Sequence, residues 1–178
     1  MTTYQFTLIV DGPDLQADNL VDALYEAGCD DALVGRVDDS QYLDFDREAP
    51  SLEKAILSAV TNVERLDGVE VIRLADAGLV SMADIAARTN RTRESVRLLI
   101  AGERGPGGFP APVTDPRNRY RLWRWFEVEQ WLTSYLGEQP SRTDDHVAAA
   151  INAGLELRRH GRYVDPDRRT ELRELAGL

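Results

Sequence analysis

Between residues 91 and 124 the chain concentrates side chains that can grip a polyanion or read the edge of a base. Arg91, Thr92, Arg93, Glu94, Ser95 and Arg97 come first, and Arg117, Arg119, Arg121 and Arg124 follow. A guanidinium can meet guanine O6 and N7 with two parallel hydrogen bonds or clamp a phosphate, while Ser and Thr hydroxyls at a helix start reach phosphate oxygens. The plainer reading competes with this one, because an exposed helix of alternating charge is ordinarily a solvated face. The cations are twenty Arg and one Lys, Lys54. That bias fits GC-rich coding and lowers the weight of any single arginine.

Local signals say which elements carry these residues. Ser81 can cap a helix by accepting from the Asp84 N–H, with Asp84 placing negative charge in the first turn and Ile85 and Ala86 facing inward. A corner is expected at Thr89-Asn90, where Asn tolerates a left-handed backbone. Thr92 then caps a second helix whose Val96, Leu99 and Ile100 form an inward stripe, so that Arg93, Glu94 and Arg97 point away from it. Beyond Gly102 the run Gly105-Pro106-Gly107-Gly108 ends helical structure. Phe109–Val113 and Tyr120–Trp125 are expected as two antiparallel strands joined through Asp115-Pro116 and Asn118, with Arg119 and Arg121 on one face and Tyr120 and Leu122 packing on the other. Val128, Trp131, Leu132 and Tyr135 mark a closing amphipathic helix.

Taken together, I-A-x-x-x-N-x-T-x-x-S-V-x-x-L-I, F-P-x-P-V and W-R-W-x-x-V-E-x-W-L resemble the winged helix-turn-helix of the MerR superfamily, in its AlpA and phage-excisionase branch. The resemblance covers residues 80–136, about a third of the chain. Asn90 stands where that family commonly has glycine, and Arg91 where it has a small apolar residue. The resemblance implies a recognition helix at 92–101 lying in a DNA major groove and a wing at 113–124 on the flanking backbone or minor groove. Thr92, Arg93, Glu94, Ser95 and Arg97, with Arg91 just ahead of them, would then belong to the recognition element. Arg117, Arg119, Arg121 and Arg124 would belong to the wing.

Charge is unevenly distributed. The whole chain carries −10, yet residues 80–136 hold nine Arg against six carboxylates, whereas residues 1–79 hold five basic against seventeen acidic side chains. A modest local excess beside an acidic half predicts salt-sensitive binding of limited strength per monomer, for which a homodimer on a repeated site is the natural remedy. Cys29 stands alone, so no intrachain disulfide forms, and no signal peptide or long apolar run opens the chain. A cytoplasmic protein with no membrane partner is expected.

The first 76 residues read as β-α-β-β-α-β. Tyr4, Phe6, Leu8 and Val10 alternate as a strand, and Asp14 or Asp18 caps a helix with the stripe Leu20, Val21, Leu24 and Tyr25. Ala32–Val37 and Gln41–Phe45 form a hairpin around Asp38-Asp39. Ser51 caps a helix with Leu52, Ala55, Ile56, Ala59, Val60 and Val63 inward, and Val69–Leu74 is the last strand. That order is the ferredoxin-like one, with two helices over one face of four strands. Residues 137–178 read as a helical extension. Its linker is Pro140-Ser141-Arg142, its cap Thr143, its stripe Val147, Ala148, Ile151 and Leu155, and a last short helix spans Asp167–Leu175.

The expected class is α+β: a ferredoxin-like domain at 1–76, a winged helix-turn-helix at 80–136 and a C-terminal extension at 137–178. The acidic doublets Asp30-Asp31, Asp38-Asp39 and Asp44/Asp46 lack a histidine partner, and His146 and His160 lie too far apart in sequence for a metal pair. No phosphate loop, nucleophile motif or acid/base pair indicates an enzyme, and no cofactor or metal is expected. The function so indicated is sequence-specific binding of double-stranded DNA by a bacterial transcriptional regulator. In the alternative, an antitoxin or excisionase-like protein, the acidic first domain engages a protein partner; a small effector would suit the same domain.

Overall fold

A computed structural model describes residues 1–75, 78–137 and 144–177. The protein is mixed α+β, with a four-stranded antiparallel sheet, a two-stranded sheet and seven helices among the described residues. They make two compact units, Met1–Ala75 with Ala150–Leu178, and Asp76–Ala149.

The first unit begins with β1 (Thr2–Asp11), α1 (Asp18–Glu26), β2 (Ala32–Val37), β3 (Ser40–Ala49), α2 (Leu52–Val63) and β4 (Glu70–Leu74). The strands lie in the order β2-β3-β1-β4, each pair antiparallel. Because alternate residues of a strand share a face, Leu8 and Val10 are buried together, as are Leu43 and Phe45; in β4 an irregularity opposite Ile9 and Val10 shifts the alternation, so that both Val71 and Leu74 are buried. Helix α2 packs across β3, β1 and β4. It buries Ala55, Ile56, Ala59, Val60 and Val63, and Ser51 caps it as expected by accepting from the Lys54 N–H at 3.3 Å.

Helix α1 departs from expectation. Of its stripe only Leu24 is buried, while Val21 and Tyr25 stay exposed. Its N-cap is Ala17 without a side-chain bond; Asp18 sits in the first turn, and the Asp14 carboxylate accepts instead from Arg36. The missing burial is supplied by Leu15 in the preceding loop, fully buried and fixed by its N–H donating to Gln41 Oε1 at 2.8 Å.

Strand β3 runs past the expected Phe45 to Ala49, which brings Arg47 to an inward position. The guanidinium is nowhere left unpaired. It donates to both Asp31 oxygens at 2.7 Å, to the Gly28 carbonyl at 2.7 Å and to Ser58 Oγ at 3.2 Å. The bond to Asp31 raises its pKa, and burial pushes the neighbouring Cys29 thiol up. A buried charge of this kind is tolerated only when it is paired and hydrogen-bonded. Gly35 in β2 has a different reason to be small: the Tyr42 ring of the adjacent strand lies where its β-carbon would be.

The outer edge of β4 is closed by side chains. Asn152, on α6 (Asp144–Gly161), accepts from the Leu74 N–H at 2.7 Å and donates to the Leu74 carbonyl at 3.0 Å. The Val71 N–H donates to Glu64, and the Val71 carbonyl accepts from Arg158, whose guanidinium also bonds both Glu64 oxygens. Side chains thus take the place of the next strand and remove an edge that would otherwise invite pairing. From Ala150 onward the helical extension therefore belongs to the first unit. Helix α7 (Pro166–Leu175) buries nothing; Leu172 is half-buried and Leu175 exposed. The expected linker at Pro140-Ser141-Arg142 and the cap at Thr143 fall outside the described residues.

The second unit holds β5 (Leu79–Ser81), α3 (Met82–Arg88), α4 (Arg93–Ile100), β6 (Leu122–Arg124) and α5 (Trp125–Leu136). Val80, Ile85, Ala86, Val96, Leu99, Trp123, Val128 and Leu132 form its core. The expected hairpin is not there. Phe109–Val113 is not a strand, and β6 pairs with β5, with Val80 opposite Trp123. Pro110 and Pro112 have no N–H to give a ladder, and the Pro110 carbonyl is taken by the Trp123 indole N–H at 3.1 Å. One backbone bond joins the two arms, from the Val113 N–H to the Leu122 carbonyl at 2.8 Å, and the Thr114 hydroxyl accepts from the Leu122 N–H at 3.1 Å. The facing of residues 120–123 changes with the pairing: Trp123 is buried, whereas Tyr120, expected to pack, is 79% exposed.

Asn152→Ala removes both partners of Leu74. It is expected to lower unfolding stability by about 1–3 kcal/mol and to speed exchange of the Leu74 amide; unchanged exchange would show that the edge does not depend on this side chain.

Candidate nucleic-acid interface

The arginine-bearing helix is positioned by two caps and one strained corner. Ser81 Oγ accepts from the Asp84 N–H at 3.3 Å, while the Asp84 carboxylate accepts from the Ser81 N–H and hydroxyl at 2.8 and 2.7 Å. These bonds hold the Asp84 carboxyl below its usual pKa. Helix α3 ends at Thr89, whose hydroxyl donates to the Ile85 carbonyl at 2.6 Å. Asn90 turns the chain with a left-handed φ of 50°, and the Arg91 N–H closes the corner on the Ala86 carbonyl at 2.9 Å. Thr92 then caps α4 by accepting from the Ser95 N–H at 3.1 Å. Val96 and Leu99 lock the inner side into the core, which fixes the direction of the rest.

The candidate residues do not share one state. Thr92, Arg93, Glu94 and Arg97 are exposed, and Arg91 and Ser95 half-buried. Among the described residues no carboxylate comes within ion-pair distance of Arg91 or Arg93. Arg97 is engaged from two directions. Its Nε donates to Glu94 at 3.0 and 3.1 Å, and its Nη1 and Nη2 donate to Glu103 at 3.4 and 3.3 Å. Those contacts raise the arginine pKa and lower that of Glu94.

The arginines of residues 117–124 divide in the same way. Asp115 accepts from the Arg117 N–H at 2.9 Å and takes its guanidinium at 3.0 and 2.6 Å, and its own pKa falls in consequence. The Arg119 guanidinium lies over the Tyr120 ring at 5.8 Å and that of Arg121 over Trp123 at 5.5 Å. Arg124 is half-buried at the N-cap of α5, its backbone paired with Leu79. The glycine-rich approach is held by aromatics: Phe109 packs edge-on against Trp123 and Trp131, and the Trp131 indole donates to the Gly107 carbonyl at 3.0 Å.

Two residues escaped the sequence reading. Glu103, in the loop after α4, competes for Arg97. Arg88, in the last turn of α3, lies over Trp125 at 5.1 Å. Three aspartates of these doublets have structural uses: Asp31 holds Arg47, Asp44 accepts from Thr7, and Asp46 accepts from Gln5.

A carboxylate whose folded pKa is depressed contributes stability that is complete above its unfolded pKa and vanishes as pH falls through the folded value. For Asp84 the difference in melting temperature between the wild type and Asp84→Asn is therefore expected in full at neutral pH and to close below about pH 4. A gap that persisted on acidification would mean that the charge has no part in the cap.

No family model matches the chain, and no curated protein or solved structure matches it significantly.

Proposed function

We propose that the protein binds double-stranded DNA sequence-specifically as a homodimeric bacterial transcriptional regulator, with a winged helix-turn-helix in its second unit and a ferredoxin-like first unit. The observation that carries this reading is α4: its apolar side is locked by Val96 and Leu99, and its outward side presents Arg93 with no carboxylate in ion-pair reach among the described residues. A short helix so anchored, its first turn polar and cationic, is the form in which protein side chains reach base edges in a major groove. The β2-β3-β1-β4 order supports the ferredoxin-like assignment, and the β5–β6 pair, with the loop 113–121 leading into β6, supports the wing.

Arginines held by carboxylates contribute less than their number suggests. Arg93 meets DNA without displacing a partner, whereas Arg97 must leave Glu94 or Glu103 to do so. In a gel-shift titration against a duplex selected from a randomised pool, Arg93→Ala is expected to weaken binding about tenfold or more, and Arg97→Ala to weaken it less. Equal or reversed losses would contradict the assignment of Arg93 as the principal reader; undiminished binding by both variants would exclude α4 as the contact.

A further inference from the structure

The two edges of the four-stranded sheet differ. Side chains of Asn152, Glu64 and Arg158 occupy the main-chain groups of β4 at Leu74 and Val71, whereas β2, the strand at the other edge, has no such cover among the described residues. Which of its groups are open follows from the ladder. The Asp46 N–H donates to the Asp31 carbonyl at 3.1 Å, and pairing is continuous from Ala32 opposite Phe45 to Val37 opposite Ser40. In an antiparallel pair only every second residue exchanges bonds with the neighbouring strand. Leu33, Gly35 and Val37 therefore bond β3 through their main chains, and Val34 and Arg36 turn their N–H and carbonyl groups outward.

Edge strands are ordinarily blunted by charge, proline or a bulge. Strand β2 carries no proline, no carboxylate and no register shift, and its one charge, Arg36, is drawn to Asp14 at 3.2 Å. Leu33 and Val37 are 69% and 60% exposed. They share a face with Tyr42, whose ring lies where a β-carbon on Gly35 would be.

We propose that β2 pairs antiparallel with β2 of a second copy about a twofold axis at Gly35, joining the two four-stranded sheets into one. In that register Val34 of each copy exchanges both main-chain bonds with Arg36 of the other, so the outward donors and acceptors of these two residues all find partners. Leu33 lies opposite Val37 of the other copy in a close, non-hydrogen-bonded pair, where apolar side chains stabilise a sheet most. Gly35 meets Gly35, and no side chain crowds the two Tyr42 rings. The strand is complementary to itself, apolar against apolar and small against small, which selects a second copy over an unrelated peptide. The pairing gives the proposed homodimer its contact and needs none of the DNA-binding residues.

The test uses the full chain, with the buried Cys29 retained. Across the axis, Leu33 and Val37 of different copies come about 4.5 Å apart between Cα atoms, within disulfide reach. Within one strand the same two residues are separated by about 13 Å, as are the two copies of Leu33, too far to bridge. Leu33→Cys combined with Val37→Cys is therefore expected to form a disulfide-linked dimer on mild oxidation, and each single variant to stay monomeric on a denaturing gel. By sedimentation velocity, Val34→Pro is expected to weaken the dimer about tenfold or more with unchanged circular dichroism, because the lost N–H faces outward and the ladder to β3 keeps its bonds. Should that variant fail to fold, the cross-link decides alone. Cross-linking by a single variant as fast as by the double, a folded Val34→Pro that dimerises undiminished, or a wild type monomeric at every concentration, its edge left to some other chain, would overturn the pairing. Gel-shift binding of the selected duplex is read separately: binding without edge pairing would overturn the pairing alone, and edge pairing without binding the DNA-binding reading alone.

Discussion

The second unit is organised around one side chain. Trp123 is buried in β6, and its position determines what its neighbours can do. Its backbone pairs with Val80 and so brings β5, the lead-in to α3, alongside the lead-in to α5. Its indole N–H takes the Pro110 carbonyl, its ring receives the edge of Phe109, and its outer face receives the Arg121 guanidinium. A buried indole must satisfy its N–H, and here that requirement ties the chain beyond the glycine-rich loop to β6. Burial of the α4 stripe in the same core then leaves that helix a single orientation.

Electrostatics set a limit on what the exposed face can do. The arginines number nine over residues 80–136, but Arg97 and Arg117 are held by carboxylates and Arg124 is half-buried in a helix cap. With the acidic first unit on the same chain, long-range attraction for a polyanion is weak. Such a protein gains little from non-specific contact. In the proposed function, selectivity rests on short-range geometry at Arg93 and in the loop before β6.

Elements with strong periodicity were legible in the sequence. The β-α-β-β-α-β order through Leu74, the stripe of α2, the caps at Ser51, Ser81 and Thr92, and the left-handed corner at Asn90 are all present in the fold. The failures share a physical origin in long-range partners. Phe109–Val113 has the apolar look of a strand, but its prolines supply no ladder, and β6 found β5, three residues too short to announce themselves. Helix α1 has the apolar stripe of a buried helix, yet Leu15 from a loop fills much of its place. Arg47 and Asn152 look like surface residues in sequence. Only the fold brings Asp31 and Gly28 to the one, and the Leu74 backbone to the other. For the site, the identity of the arginines was readable but their availability was not, because Glu103 and Asp115 reach them through turns that periodicity does not describe.

In the proposed function the outward side of α4 and the loop before β6 together face duplex DNA. Backbone amide shifts of the full chain, followed during titration with a selected duplex, test it most directly. The perturbed amides are expected to cluster at residues 91–97 and 117–121, with the four-stranded sheet undisturbed. Perturbations confined to that sheet, or none at low ionic strength, would contradict it.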